Sequence, residues 1–104
     1  MAEADRLLEQ LLDKSKCLRA LAEKSEWEAA ATLEQERRSL IESCFSPGVT
    51  FDAPQLAATK IQEILDLDKQ VLDMGAKARK EAGEALGGIQ RGHQALQAYQ
   101  KAGA

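Results

Sequence analysis

The fold is decided by residues 51–75, which read FDAPQLAATKIQEILDLDKQVLDMG. Asp52 can cap a helix N-terminus, and Gln55, three residues later, can reach back to complete a capping box. Pro54 fits the first helical turn, where its missing N–H group costs nothing. These signals predict a helix that begins at about residue 53.

Apolar and small residues then recur at alternating steps of three and four, the spacing of a heptad seam. The seam comprises Ile61, Ile64, Val71, Gly75, Ala78, Ala82, Ala85, Ile89, Gly92, Leu96 and Tyr99, with Asp68 as its one charge. The pattern predicts a single long third helix over 53–99. Glycines weaken helices, so Gly87-Gly88 is the expected place for a bend or for a restart as a short fourth helix over 89–100.

Two shorter amphipathic helices are predicted upstream, at about 3–23 and 26–45. Ser25 and Glu28 form a second capping box, so a new helix begins directly after the first one ends. A tight antiparallel turn is favoured there over a kink. The sequence therefore predicts an all-α fold, an elongated antiparallel three-helix bundle in a single domain of residues 1–104.

Antiparallel pairing lets the first two helices cover the third only to about residue 76. Trp27 is predicted to anchor that end of the bundle as a buried side chain against Leu21, Val71 and Leu72. Residues 76–104 are predicted to overhang as a mobile arm. The arm carries five basic residues against two acidic ones, whereas the whole chain has a formal net charge of −3.

An apolar strip lies on the third helix where the covering helices end, and it is the predicted partner-binding site. This partner strip consists of Val71, Leu72, Gly75, Ala78, Ala82 and Leu86. Its small residues would let a partner helix approach the backbone closely. The alternatives are that the strip is buried in a homodimer or under residues 89–100.

Glu34 and Arg37 fall inside the apolar stripe of the second helix, three residues apart. At that spacing they are expected to form a local ion pair whose stems lie over the core edge. The alternative is that they line a contact surface for a partner.

The residues indicate no catalytic site, cofactor site or metal site. His93 is a lone histidine on a helix, without the further ligands that a metal needs, and is expected at the surface. Cys17 and Cys44 should lie roughly 18 Å apart along the hairpin, too far for a disulfide. The negative net charge argues against direct nucleic-acid binding. The chain has no membrane-length apolar run and no signal-peptide layout, so a cytoplasmic protein is expected.

Four short motifs together resemble the flagellar export chaperones of the FliT type, over about Leu8 to Tyr99. They are Ser25-Glu26-Trp27-Glu28, Leu40-Ile41, Ile61-x-x-Ile64-Leu65-x-Leu67-Asp68 and Leu96-x-Ala98-Tyr99. The resemblance implies a small cytoplasmic helical bundle that binds the filament-cap protein, keeps it unassembled and delivers it to the flagellar type III export gate.

The same resemblance implies further partners for some members, namely export ATPase components and the flagellar master transcriptional activator, which makes those members repressors. It also implies that a C-terminal helical segment regulates access to the binding surface. The sequence departs from the family pattern by ending soon after Tyr99, at Ala104, so regulation by a C-terminal segment is expected only if residues 89–100 take this role.

The sequence is therefore consistent with two functions. In the first, the chain is an export chaperone whose heptad surface holds an amphipathic segment of a partner. In the second, it is a self-associating coiled-coil structural or regulatory protein. Size-exclusion chromatography with light scattering separates them, because a stable dimer with no exposed apolar surface favours the second.

Overall fold

The computed structural model describes residues 2–102, which form four α-helices. They are α1 (Glu3–Glu23), α2 (Trp27–Cys44), α3 (Pro54–Lys77) and α4 (Arg79–Ala102). The all-α prediction is confirmed for this part of the chain. The three-helix description is wrong in detail, because the predicted long third helix is two helices of equal length.

The predicted turn between the first two helices is present, but it is built differently from the prediction. Ser25 has a positive φ of 57°, and its backbone N–H donates to Ala22 O at 3.0 Å. The N–H of Glu26 donates to Leu21 O at 2.9 Å. These two bonds form a Schellman motif, which ends α1. Ser25 is therefore the left-handed residue of the motif, just beyond the end of α1, and no side chain caps α2.

The predicted capping box at the start of α3 is also absent. Ala53 is the N-cap residue and Pro54 occupies the first turn. The Asp52 carboxylate instead accepts a hydrogen bond from the Ala2 backbone N–H at 2.8 Å. The Asp52 N–H donates to the Asp5 carboxylate at 3.0 Å. Asp52 thus fastens the start of α1 to the start of α3.

The break between α3 and α4 lies at Ala78, not at Gly87-Gly88, and the chain reverses there. A straight helix through Ala78 would leave the apolar stripe of residues 79–102 in water, and burial of such a stripe outweighs a few lost backbone bonds. Gly75 allows the tight reversal, since a Cβ atom at that position would lie 2.7 Å from Leu86 Cδ1. The predicted overhang is therefore wrong, because α4 packs back onto the body.

The four helices form two antiparallel hairpins, α1/α2 and α3/α4, that lie side by side. Within the described residues, α1 contacts α2 and α3, and α4 contacts the same two helices. Hence α1 and α4 lie diagonally opposite each other in the bundle, as do α2 and α3. Ion pairing of Glu9 with Lys60 at 3.2 Å and a hydrogen bond from Arg19 to Gln70 show that α1 and α3 run parallel. The bundle measures 40 × 21 × 19 Å.

The core consists of two apolar clusters at opposite ends of the bundle. The cluster near the start of α1 contains Leu8, Leu11, Leu12, Ile41, Cys44, Ala57, Ile61, Ile64, Leu65 and Leu96. The cluster near the two hairpin turns contains Leu18, Ala22, Trp27, Ala30, Val71, Ala82, Ala85, Leu86 and Ile89. The buried side chains between these clusters are polar.

Trp27 lies in the turn-end cluster and is 5% exposed. Leu21 and Leu72 are half-buried against the same cluster, which also contains Val71. This placement agrees with the position expected of Trp27, although its energetic role as an anchor stays a prediction. Cys17 is exposed and Cys44 is buried, and both are free thiols.

Candidate functional site

Four charged or titratable side chains from three helices meet between the two apolar clusters. Arg37 of α2 donates through Nη1 to Glu34 Oε2 at 3.0 Å and through Nη2 to Asp68 Oδ1 of α3 at 2.9 Å. The other Asp68 oxygen lies 3.3 Å from His93 Nδ1 of α4. We call Glu34, Arg37, Asp68 and His93 the ionic layer. The Arg37 guanidinium joins α2 to α3, and the Asp68 carboxylate joins α3 to His93 of α4.

The ionic layer is almost completely removed from solvent. Arg37 is 0% exposed, Asp68 1%, Glu34 2% and His93 7%. The Glu34–Arg37 pair predicted from the sequence forms, but it lies in the core and not at its edge. The expectation that His93 lies at the surface is wrong, because its ring packs inward against Asp68.

Two glycines of α4 make room for the Glu34 side chain. A Cβ atom at Gly92 would lie 2.6 Å from Glu34 Oε1, and one at Gly88 would lie 3.2 Å from Glu34 Cγ. Arg38 reaches the same place from α2, where its Nη2 donates to Gly88 O at 3.3 Å. The sequence predicted a bend at Gly87-Gly88, whereas the structure uses Gly88, together with Gly92, for close packing on α2.

Burial dominates the electrostatics of the layer. It raises the pKa of the Glu34 carboxyl from 4.5 to about 7, because the neighbouring Arg37 offsets only part of the desolvation. Burial also raises the pKa of Asp68, against the opposing effects of Arg37 and His93. Among the described atoms, Glu34 Oε1 and Arg37 Nε have no hydrogen-bond partner. Two buried polar atoms of the ionic layer therefore lack hydrogen bonds, and buried polar atoms without partners lower the stability of the fold.

The structure brings the six residues of the partner strip together, but on the inner side of the α3/α4 hairpin. Val71, Gly75, Ala82 and Leu86 are buried, while Leu72 and Ala78 are half-buried. In the closed bundle the strip faces the other helices of its own chain. Binding of a partner there stays a prediction, and it now requires α4 to move.

A second apolar feature, which the sequence did not reveal, lies where α2 and α4 end. The rings of Phe45 and Tyr99 stack with centroids 4.7 Å apart, and Phe51 meets Phe45 edge-on at 6.0 Å. A groove of about 460 Å³ opens beside them, lined also by Val49, Ala58 and Ile61. Its residues come from two stretches of the chain, 44–61 and 99–100, so no single sequence window contains the whole groove.

The described residues offer little for chemistry. Within residues 2–102, no group of three or more His, Cys, Asp or Glu side chains is arranged to hold a metal ion. None of the four described helices combines the length and the apolar character needed to cross a bilayer. What the site can do is bury charge, exchange protons and hold one helix against two others.

Comparison with known proteins gives one match. Residues 5–101 match a family model described as "Flagellar protein FliT". No curated protein and no solved structure matches the chain. The matched range includes both hairpins, the loop between them and every residue of the ionic layer.

Proposed function

Because this chain belongs to the FliT family of flagellar proteins, we propose that it is a cytoplasmic type III export chaperone for the filament-cap protein. The observation that carries the proposal is the extent of the family match, which spans nearly the whole chain. The family is one of flagellar export chaperones rather than enzymes. The recognised chemistry is then a helical segment of a partner and not a small-molecule substrate.

Helix α4 is the element that a partner helix would replace. It is amphipathic and lies in the groove between α2 and α3. Among the described residues its large buried apolar side chains are Leu86, Ile89 and Leu96. The rest of its buried face consists of small residues and His93, namely Ala82, Ala85, Gly88, Gly92 and His93. A partner helix with larger apolar residues could bury more surface in the same groove, by the helix-in-groove mode.

Displacement of α4 would expose the α3 part of the partner strip. Gly75 lies against Leu86 of α4, and Val71 belongs to the same cluster. The hinge at Ala78 is flanked by the exposed side chains of Lys77, Arg79 and Lys80. These positive charges would attract an acidic stretch of the partner and speed the encounter.

Further partners follow from the family resemblance and belong to the same proposal. Export ATPase components would dock on the loaded chaperone, and the flagellar master transcriptional activator would compete for it and be repressed. A homodimer remains the alternative. Light scattering on the purified chain is expected to give a monomer, and a stable dimer would favour the self-associating function.

One pair of variants tests the proposal by changing the stability of α4 in opposite directions. Gly83 is exposed and a Cβ atom there meets nothing within 4 Å, so Gly83→Ala should stabilise α4 by about 1 kcal/mol. Gln90 is exposed on the same helix, and Gln90→Gly should weaken α4 by a similar amount. Calorimetric titration with the purified filament-cap protein is expected to show about fivefold weaker binding for Gly83→Ala and tighter binding for Gln90→Gly.

Ala20→Gly is the matched control, because Ala20 is exposed on α1 and α1 makes no contact with α4 within the described residues. It should lower overall stability without changing affinity. If both α4 variants bind the cap protein with wild-type affinity, α4 is not displaced. If the wild-type chain itself fails to bind, the chaperone proposal is wrong.

Glutamate substitutions at two residues of the partner strip are expected to affect the stability of the bundle differently. Ala82 is 1% exposed, so Ala82→Glu would place a charge in the core and detach α4. This variant is therefore expected to lower the thermal stability of the bundle. Ala78→Glu lies at the half-buried hinge, and it remains the milder way to place charge beside the binding surface.

A further inference from the structure

The ionic layer carries an excess of negative charge when each group has its ordinary ionisation. It contains two carboxylates, Glu34 and Asp68, but one permanent cation, Arg37. With a neutral His93, the layer has one negative charge in excess in a site that solvent does not reach. An uncompensated charge in such a site is expensive. Uptake of a single proton would make the layer neutral.

Hydrogen bonding indicates which carboxylate takes up that proton. Both oxygens of Asp68 have partners, Arg37 Nη2 at 2.9 Å and His93 Nδ1 at 3.3 Å. Glu34 has a partner on one oxygen only, and its Oε1 is buried with no hydrogen-bond partner among the described atoms. An unpartnered oxygen favours the neutral acid over the anion. Glu34 is therefore the better place for the proton.

Helix α4 supplies the covering that buries Glu34. Gly92 and Gly88 lie directly over the carboxyl and its stem, as the short distances from their Cβ positions show. When α4 leaves the groove, the Glu34 side chain becomes exposed to water and ionises like an ordinary carboxyl group. We propose that docking of α4 is coupled to uptake of a proton by Glu34, so that α4 is held more tightly in mildly acidic than in mildly basic solution.

The charged groups around Glu34 are consistent with this coupling. From α2 it faces Arg37 and Arg38, from α3 Asp68, and from α4 Arg91 together with the layer's His93. On α1 the buried polar side chain is Ser15, whose hydroxyl is uncharged and donates to Leu11 O at 2.8 Å. The nearby cations reduce the effect of burial on Glu34 without cancelling it.

The direction of the pH dependence follows from the raised pKa. Docked Glu34 has a pKa of about 7, and the exposed carboxyl has its ordinary value of 4.5. The docked state therefore binds more protons between these values. The stabilisation that protonated Glu34 gives to the docking of α4 is fully present below pH 4.5 and is lost as the pH rises through about 7.

Hydrogen exchange of the α4 amides on the isolated full chain tests the coupling, with rates corrected for intrinsic exchange. Between pH 8 and pH 6 the equilibrium for α4 opening should fall by roughly tenfold in the wild type. Glu34→Gln keeps the shape of the side chain but cannot ionise, so it should remove this dependence. Glu36→Gln is the matched control, because Glu36 is exposed on the same helix and pairs with Lys14, and the dependence should persist in it.

A wild-type protection that does not change with pH would overturn the proposal, as would a dependence that survives in Glu34→Gln. If Glu34→Gln does not fold, carbon-detected NMR of the Glu34 carboxyl decides the matter in the wild-type chain. A titration midpoint near 7 supports the coupling and one near 4.5 overturns it. The inference goes beyond the export function, and because its test uses the chain alone, its failure would leave that proposal unaffected.

Discussion

Helices α3 and α4 have the same length, 24 residues each, and pack against each other, yet they are held unequally. Helix α3 buries four large apolar side chains, Ile61, Ile64, Leu65 and Val71, and contains one glycine, Gly75. Helix α4 buries three, Leu86, Ile89 and Leu96, and contains four glycines at 83, 87, 88 and 92.

The difference can be put on an approximate energy scale. One further large apolar side chain stabilises a helix's attachment by about 2 kcal/mol. Gly83 and Gly87, whose Cβ positions contact no other helix, weaken α4 by about 1 kcal/mol each. Helix α4 is therefore bound less firmly than α3 by roughly 4 kcal/mol. Equal length and equal position in a bundle do not imply equal stability, and the weaker helix is the one that a partner can replace.

The polar contacts of the two helices differ in the same sense. Helix α3 is joined to α2 by the 2.9 Å bond from Arg37 to Asp68. Helix α4 reaches the layer through His93 at 3.3 Å, and its Gly88 carbonyl accepts from Arg38 at 3.3 Å. The strong charge-assisted bond is thus made to α3.

The largest expected effect comes from removing Arg37. Arg37→Met would leave the Glu34 and Asp68 carboxyls buried without a cation, which should destabilise the bundle by about 3–5 kcal/mol. Urea denaturation followed by circular dichroism measures this loss. Arg38→Met is the control, because its half-buried guanidinium makes one long bond to a carbonyl, and it should cost less than about 1 kcal/mol. Equal losses in both variants would show that the layer does not hold α2 and α3 together.

A smaller effect is expected from alanine at two glycines of α4. Gly92→Ala would place a Cβ atom 2.6 Å from Glu34 Oε1 and should weaken α4 docking by about 1–3 kcal/mol. Gly83→Ala meets open space and should stabilise α4 by about 1 kcal/mol. Thermal denaturation should therefore move the two midpoints in opposite directions. A shift in the same direction would mean that Gly92 is not needed for close packing on α2.

The sequence predicted the first half of the fold well. The first helix was expected at 3–23 and is found at Glu3–Glu23, and the second was expected at 26–45 and is found at Trp27–Cys44. Their hydrophobic stripes and the short connection between them were sufficient. The capping boxes predicted at the starts of α2 and α3 do not form. The Ser25 backbone N–H bonds to Ala22 O at the end of α1, and the Asp52 carboxylate accepts a hydrogen bond from the Ala2 N–H.

The second half failed for a definable physical reason. The heptad seam continues in phase through Ala78, so its periodicity is the same for one straight helix and for a hairpin of two. No proline lies at the reversal, and Gly75, three residues before it, fits the seam of one continuous helix equally well. Of the visible glycine pair at 87–88, Gly88 instead packs closely against α2, where a tertiary neighbour outweighs local helix propensity.

The candidate site was only partly accessible to sequence reasoning. Asp68 stood out as the one charge in the seam, and Glu34 and Arg37 were paired correctly. Their meeting with each other and with His93 joins residues 25 and 31 positions apart in the chain. Spacing along a helix carries no information about such distant partners. Binding of a partner to the strip stays a prediction, and the position of the strip on the inner side of the α3/α4 hairpin depends on the reversal that was missed.

Native-state hydrogen exchange on the monomeric wild-type chain tests the central claim most directly, since it reads the stability of each helix separately. The amides from Ile89 to Tyr99 should exchange through a low-energy opening of α4, well before those from Ile61 to Val71 in α3. Equal protection of the two segments would contradict the claim that α4 is the weakly held helix.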